Sequence, residues 1–223
     1  MTDQTVTGAQ AGASAIQKPP LGPAQGTKSE IDSAVVREHF RASIAVKQQV
    51  AELLAAPAAE AAARLTTALL AGHKVLVFGN GGSAADAQHF AGEMVGRFKR
   101  PGRRALPVLA LTTDTTVLTC VANDFCYDDV FSRQVEAFAQ PGDVLIGLST
   151  SGRSPNVLKA LEVGRTRGAT NIAFLGGDGG AAAQLADLAL VVPVQDTARV
   201  QECHITLIHA ICDLVETAIL AAD

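Results

Sequence analysis

His89 and Glu93 stand four residues apart in FGNGGSAADAQHFAGE, a stretch that ends a strand-like run, turns through glycines and enters a helical pattern. On a helix that spacing sets the two side chains one above the other, where both can reach one substrate or one metal ion. A third group of this chemistry, His209, lies in the closing segment TARVQECHITLIHAICDLVE among apolar residues that should face the core or a neighbouring subunit. A histidine in such surroundings is more often a hydrogen-bonded core residue than a ligand. Gln201 and Glu202 both precede it by about two turns, and helical periodicity slightly favours Glu202 for the same stripe. Spacing thus leaves the partner of His209 undecided. His39 and His73 have no acidic or histidine partner at helical spacing and read as structural or exposed.

A second set of groups suits a phosphate. In GLSTSGRSPNVLKAL, Ser149, Thr150, Ser151 and Ser154 crowd a turn held open by Gly152, and Ser154 with Pro155 reads as the cap and first residue of a helix. Hydroxyls and backbone N–H groups converging on a positive helix end bind a phosphate monoester without a metal. The plainer alternative is one capping serine in a polar loop. Arg153 either adds charge to that phosphate or points to solvent. Gly79, Gly81 and Ala84 fit the G-x-G-x-x-[GA] dinucleotide turn, but that fingerprint needs an acid about twenty residues on. Asp114 comes about thirty residues after Ala84, behind two threonines. A smaller ligand therefore suits the turn better. Ser83 as N-cap with Asp86 three residues later would form an acidic capping box, and a capped helix needing no ligand is the bland reading of the same residues.

These groups need a scaffold. From Lys74 onward the apolar runs KVLVF, LPVLAL, DVLIGLS, NIAFLG and LALVVP alternate with amphipathic or Ala-rich stretches. Continuously apolar strands are expected when helices cover both faces of a parallel sheet. The spacing predicts an α/β fold, a three-layer αβα sandwich on a five-stranded parallel sheet. Two helices should precede it between Ile31 and Leu70. In such sheets the crevice lies beyond the carboxyl ends of the strands, which places Gly79 to Ser83, Thr112 to Thr116 and Ser149 to Ser154 around it.

Residues 1–30 mix Ala, Gly, Thr and Pro without periodicity and read as a disordered tail, leaving 31–223 as one domain. The chain of 223 residues is 48% hydrophobic and 18% charged, with a formal net charge of −4, which gives no electrostatic reason to expect nucleic acid or an anionic membrane. No stretch reads as the ~18 apolar residues of a membrane span. Cys120, Cys126, Cys203 and Cys212 form no CxxC pair and read as reduced core thiols, and the protein is expected in the cytoplasm.

GNGGSAADAQHFAGE, ALTTDTTVLTCVANDF, FSRQVEAFAQPGDVLIGLSTSGRSPNVLKAL and ARVQECHITLIH together resemble the phosphoheptose isomerases of the sugar isomerase (SIS) domain superfamily, from about Ser33 to the C-terminus. The resemblance implies a homotetramer with active sites at subunit interfaces, interconverting D-sedoheptulose 7-phosphate and D-glycero-D-manno-heptose 7-phosphate. It implies substrate contacts from Asn80, Gly81, Gly82, Glu93, Asn123, Asp124 and Gln201, with the phosphate on Ser149, Thr150, Ser151 and Ser154. It also implies one zinc ion per subunit, on His89, Glu93, Gln201 and His209, which chooses Gln201 over Glu202. Arg153 stands where many relatives have a small polar residue, and Cys203 where the position is usually aliphatic. Aldose–ketose isomerisation needs a base above the C1–C2 bond and an acid for the oxygens, roles that fall to Glu93 and His209. The competing function classes are a non-catalytic SIS adaptor of the replication-initiator-associating kind and a phosphosugar-sensing regulator. The trio of His89, Glu93 and His209 favours an enzyme over the first, and the lack of a helix-turn-helix segment disfavours the second.

Overall fold

The computed structural model describes residues 32–222. The tail read in residues 1–30 lies outside them. Five strands form one parallel sheet: β1 (Val75–Gly79), β2 (Val108–Ala110), β3 (Val144–Ser149), β4 (Thr170–Gly176) and β5 (Leu188–Val192), in the order β2-β1-β3-β4-β5. Every residue of β1 and β3 is buried, as strands covered on both faces must be. This is the sandwich that the run of apolar segments predicts.

Alternate strand residues divide the core. Val75, Val77, Ile146, Leu148, Ile172 and Phe174 pack with α1 (Ser33–Leu70), α2 (Gly82–Val95) and α7 (Thr197–Ala222). Leu76, Phe78, Leu145, Ala173 and Leu175 face the other layer. That layer comprises α4 (Ser132–Phe138), α5 (Pro155–Thr166) and α6 (Ala182–Leu185), with the edge of α3 (Thr115–Asp124). The strand order reverses between β1 and β3, so their carboxyl ends open a crevice there.

Three expectations are corrected. The segment before β1 is one helix of 38 residues rather than two. Pro57 within it lacks the N–H that would bond the carbonyl of Leu53, but Leu53 lies on the exposed face of the helix, and the flanking alanines sustain it. α1 and α7 are each long and apolar enough to cross a membrane by length and composition, contrary to the sequence reading. Both instead pack on one another and on the sheet, and α7 buries Arg199, His204 and Glu216. The four cysteines are free, but only Cys203 and Cys212 are core thiols. Cys120 is exposed and Cys126 partly so, because both sit at the rim around the end of α3.

The burial along α1 is uneven. Its buried residues begin at Val50, while Val36, Phe40 and Ile44 form an i, i+4, i+8 stripe that is 54 to 67% exposed.

Candidate active site

The glycine turn after β1 opens α2 differently from the capping-box reading. Gly81 is the cap, with φ of +56°, and no side chain caps the helix. A positive φ there favours glycine, and it starts the helix early enough that Ser83 falls inside the first turn, buried. Asp86 therefore caps nothing. One of its oxygens is buried with no hydrogen-bond partner among the described residues, and burial raises its pKa while His89 partly opposes that. Gly82 lies close under α7: a Cβ there would displace the side-chain amide of Gln201.

A cleft of about 270 Å³ lies at the β1/β3 switch point, lined by Asn80, Gly81, Gly82, Ser149, Thr150, Ser154, Thr197 and Gln201 among others. Ser154 is the N-cap of α5 with Pro155 at N1, as the sequence suggests. Its hydroxyl lies 3.1 Å from that of Ser149, which also accepts the Gly152 N–H at 3.1 Å. Hydroxyls and helix-end amides turned to one small space suit a phosphate. Ser151 is exposed and accepts the N–H of Arg153. Arg153 itself pairs with Asp178 at 2.6 Å. Its guanidinium is thus engaged by the loop after β4, neither aimed into the cleft nor left to solvent alone.

Asn80 exchanges two side-chain hydrogen bonds of 2.9 Å with buried Asn156, and its oxygen also accepts from Tyr127 at 3.3 Å. Asn123 and Asp124 bond one another at the exposed end of α3, and Cys120 donates to Asp124. Within one chain they do not line the cleft.

The histidines and Glu93 converge from two helices. Nε2 of His89 lies 3.0 Å from Oε1 of Glu93 and 3.0 Å from Nε2 of His209, and all three ligand atoms fall within 4.8 Å of one another. A single ring nitrogen carries either a proton or a lone pair, so Nε2 of His89 cannot donate to a carboxylate and accept from His209 at once. Three lone pairs turned on one point is the arrangement a cation satisfies, and ligand atoms of a tetrahedral zinc stand about 3.3 Å apart. The donor set fits that metal. Gln201 stands on the cleft side, its amide over Gly82. Glu202 turns elsewhere, pairing with Arg199 at 2.6 Å against α1. Of these two neighbours, Gln201 lines the cleft and Glu202 does not.

Supporting groups surround the trio. Phe98 stacks on the His209 ring with centroids 5.5 Å apart. Burial, with the nearby Glu93, pushes the Cys212 thiol up to about 12 and keeps it neutral. Glu216 is buried and would be raised by that burial, but the N–H groups of Lys99 and Arg100, the Arg103 side chain and the Phe98 N–H hold it below its ordinary value. Sequence reading missed Thr197, Asn156, Tyr127, Phe98, Arg103 and Glu216. Thr197 alone carried a signal, since it lies four residues before Gln201 at the start of the last helical pattern.

A doubly wound sheet with a serine-lined cleft at its switch point belongs to the class of SIS domains, whose family matches residues 38–176. Curated relatives are more specific. A phosphoheptose isomerase of Aquifex aeolicus is 54% identical over 181 residues, 81% of this chain and 94% of that protein. One from Citrifermentans bemidjiense is 61% identical over 161 residues, 72% and 83% of the two chains. The solved phosphoheptose isomerase of Neisseria gonorrhoeae superposes with a TM-score of 0.79 at 46% identity, covering 83% of this chain and 98% of that one. The chain belongs to the phosphoheptose isomerase family of SIS domains.

Proposed function

We propose that this isomerase interconverts D-sedoheptulose 7-phosphate and D-glycero-D-manno-heptose 7-phosphate by proton transfer through an enediol, with Glu93 as base and His209 as acid. The observation that carries the assignment of roles is the contact chain Glu93–His89–His209, two links of 3.0 Å joining α2 to α7 beside the serine-lined cleft. From the ketose, Glu93 removes a C1 proton and returns it to C2. His209 moves the hydroxyl proton from O1 to O2, so the net change is one hydrogen shifted between the adjacent carbons and one proton shifted between their oxygens. Ser149, Thr150 and Ser154 hold the phosphate, with Ser151 added from the loop rim. Asn80, Gly81, Gly82 and Gln201 orient the sugar, and Asn123 and Asp124 contribute from the end of α3.

His89, Glu93, Gln201 and His209 would hold the zinc ion. Bound there, zinc would supply Lewis-acid polarisation of the carbonyl and hydroxyl oxygens. The exposed stripe of Val36, Phe40 and Ile44 supports a homotetramer, because a monomer gains nothing from leaving a helix face of that kind in water. The exposed position of Asn123 and Asp124 is in keeping with active sites completed between subunits. Four free thiols agree with a cytoplasmic location.

The test is incubation of purified protein with sedoheptulose 7-phosphate, beside Glu93→Gln and His209→Ala. Heptose 7-phosphate should accumulate with wild type only. Undiminished conversion by both variants would overturn the assigned roles, and absence of conversion by wild type would overturn the activity. Metal analysis of the purified protein tests the ligand set, and sedimentation tests the assembly.

A further inference from the structure

Arg103 and Glu216 form a buried ion pair at 3.1 Å, their side chains 0% and 1% exposed. Neither touches the phosphate cleft. The Glu216 carboxylate accepts three successive backbone N–H groups, of Phe98, Lys99 and Arg100, at 2.8 to 3.1 Å. Arg103 donates to the carbonyls of Glu93 (2.9 Å), Met94 (2.8 Å) and Gly96 (3.0 Å). The last carbonyls of a helix have no partner within it, so one guanidinium takes up those at the end of α2. Burying two charges is costly, and the glycine that ends α2, Gly96, takes up only the Gly92 carbonyl.

The location gives the pair a further consequence. Arg103 grips the peptide of Glu93 itself, and Glu216 lies two turns beyond His209 on α7. The same carboxylate fixes the peptide of Phe98, whose ring stacks on His209. Both members of the proton-transferring pair are thereby tied to one carboxylate and one guanidinium.

We propose that Arg103 and Glu216 are positioning residues for the isomerase reaction, holding Glu93 and His209 in register across α2 and α7. The proposal rests on the roles assigned to Glu93 and His209 above.

Glu216→Gln and Arg103→Lys are to be assayed well below their melting temperatures, with Asp213→Asn as control. That control cuts the exposed pairs of Asp213 with Lys99 and Arg100 on the same loop and leaves the clamp whole. Expected is a tenfold or greater fall in kcat for each clamp variant, KM within about threefold, and little change in kcat for Asp213→Asn. The imidazole nitrogen resonances of His89 and His209 should shift in the clamp variants and not in the control. Full kcat with unmoved resonances in either folded clamp variant, or an equal loss in Asp213→Asn, would overturn the proposal. If Glu216→Gln fails to fold, Arg103→Lys carries the test. Should wild type lack heptose phosphate turnover, the isomerase reading falls, while the resonances still report on the clamp.

Discussion

The two halves of the site are made of different material. The half proposed to hold the phosphate is a pair of turns at the ends of β1 and β3, where backbone amides and short hydroxyls share one cleft. The half proposed to react consists of long side chains from α2 and α7, held by contacts between residues as far apart as 120 positions in sequence. Turns that follow adjacent strands of a sheet inherit its rigidity. Side chains on two helices keep register only if something locks the helices together. Redundant hydroxyls should therefore tolerate single losses that the reacting half does not.

The most direct way to break that contrast is Glu93→Gln. It removes the base while leaving the size of the side chain unchanged, so kcat should fall by about 10² to 10⁴ with little change in KM. A steady-state assay in both directions checks this. If KM rose instead, Glu93 would belong to the binding half. On the stability side, Glu216→Ala leaves buried Arg103 without its carboxylate and should cost about 3 to 5 kcal/mol, read from urea unfolding.

His204 tests the frame that both halves share. It is buried on α7, its Nε2 lies 3.1 Å from the Leu175 carbonyl, and burial lowers its pKa from 6.5 to about 4. The folded state thus prefers the neutral ring. Above pH 6.5 that preference is fully present; as pH falls the unfolded chain takes up a proton first, and stability is lost between pH 6.5 and about 4. The loss amounts to about 3 kcal/mol. Urea midpoints across that range should fall in wild type and fall less in His204→Gln.

Within the phosphate half, Ser149→Ala removes one of several donors. KM should rise roughly tenfold, the scale of one hydrogen bond to a charged group, with kcat nearly kept. The smallest effect is expected from Arg153→Asn. Because Arg153 is engaged by Asp178, KM should stay within about twofold of wild type. A larger rise would mean that the arginine leaves Asp178 for the substrate.

The turns of the cleft were legible in the sequence because their logic is local. Ser154 before Pro155 announces a helix start, and glycines after an apolar run announce a turn. Burial on both faces also made β1, β3 and β4 readable. The reacting half was legible only in part: His89 and Glu93 share a helix face, but nothing in spacing chose Gln201 over Glu202, since the two residues differ by one step of rotation. The clamp was invisible, because Arg103 lies in a loop and Glu216 in an apolar helix with no periodic relation between them. The capping box at Ser83 failed for a physical reason: Gly81 at positive φ begins the helix two residues before the serine.

Tyr127, whose hydroxyl reaches Asn80 at the cleft, is the one tyrosine of a chain without tryptophan. Its ultraviolet emission is therefore an undiluted optical signal from the site itself, so that occupancy of the cleft can be followed in the unlabelled protein.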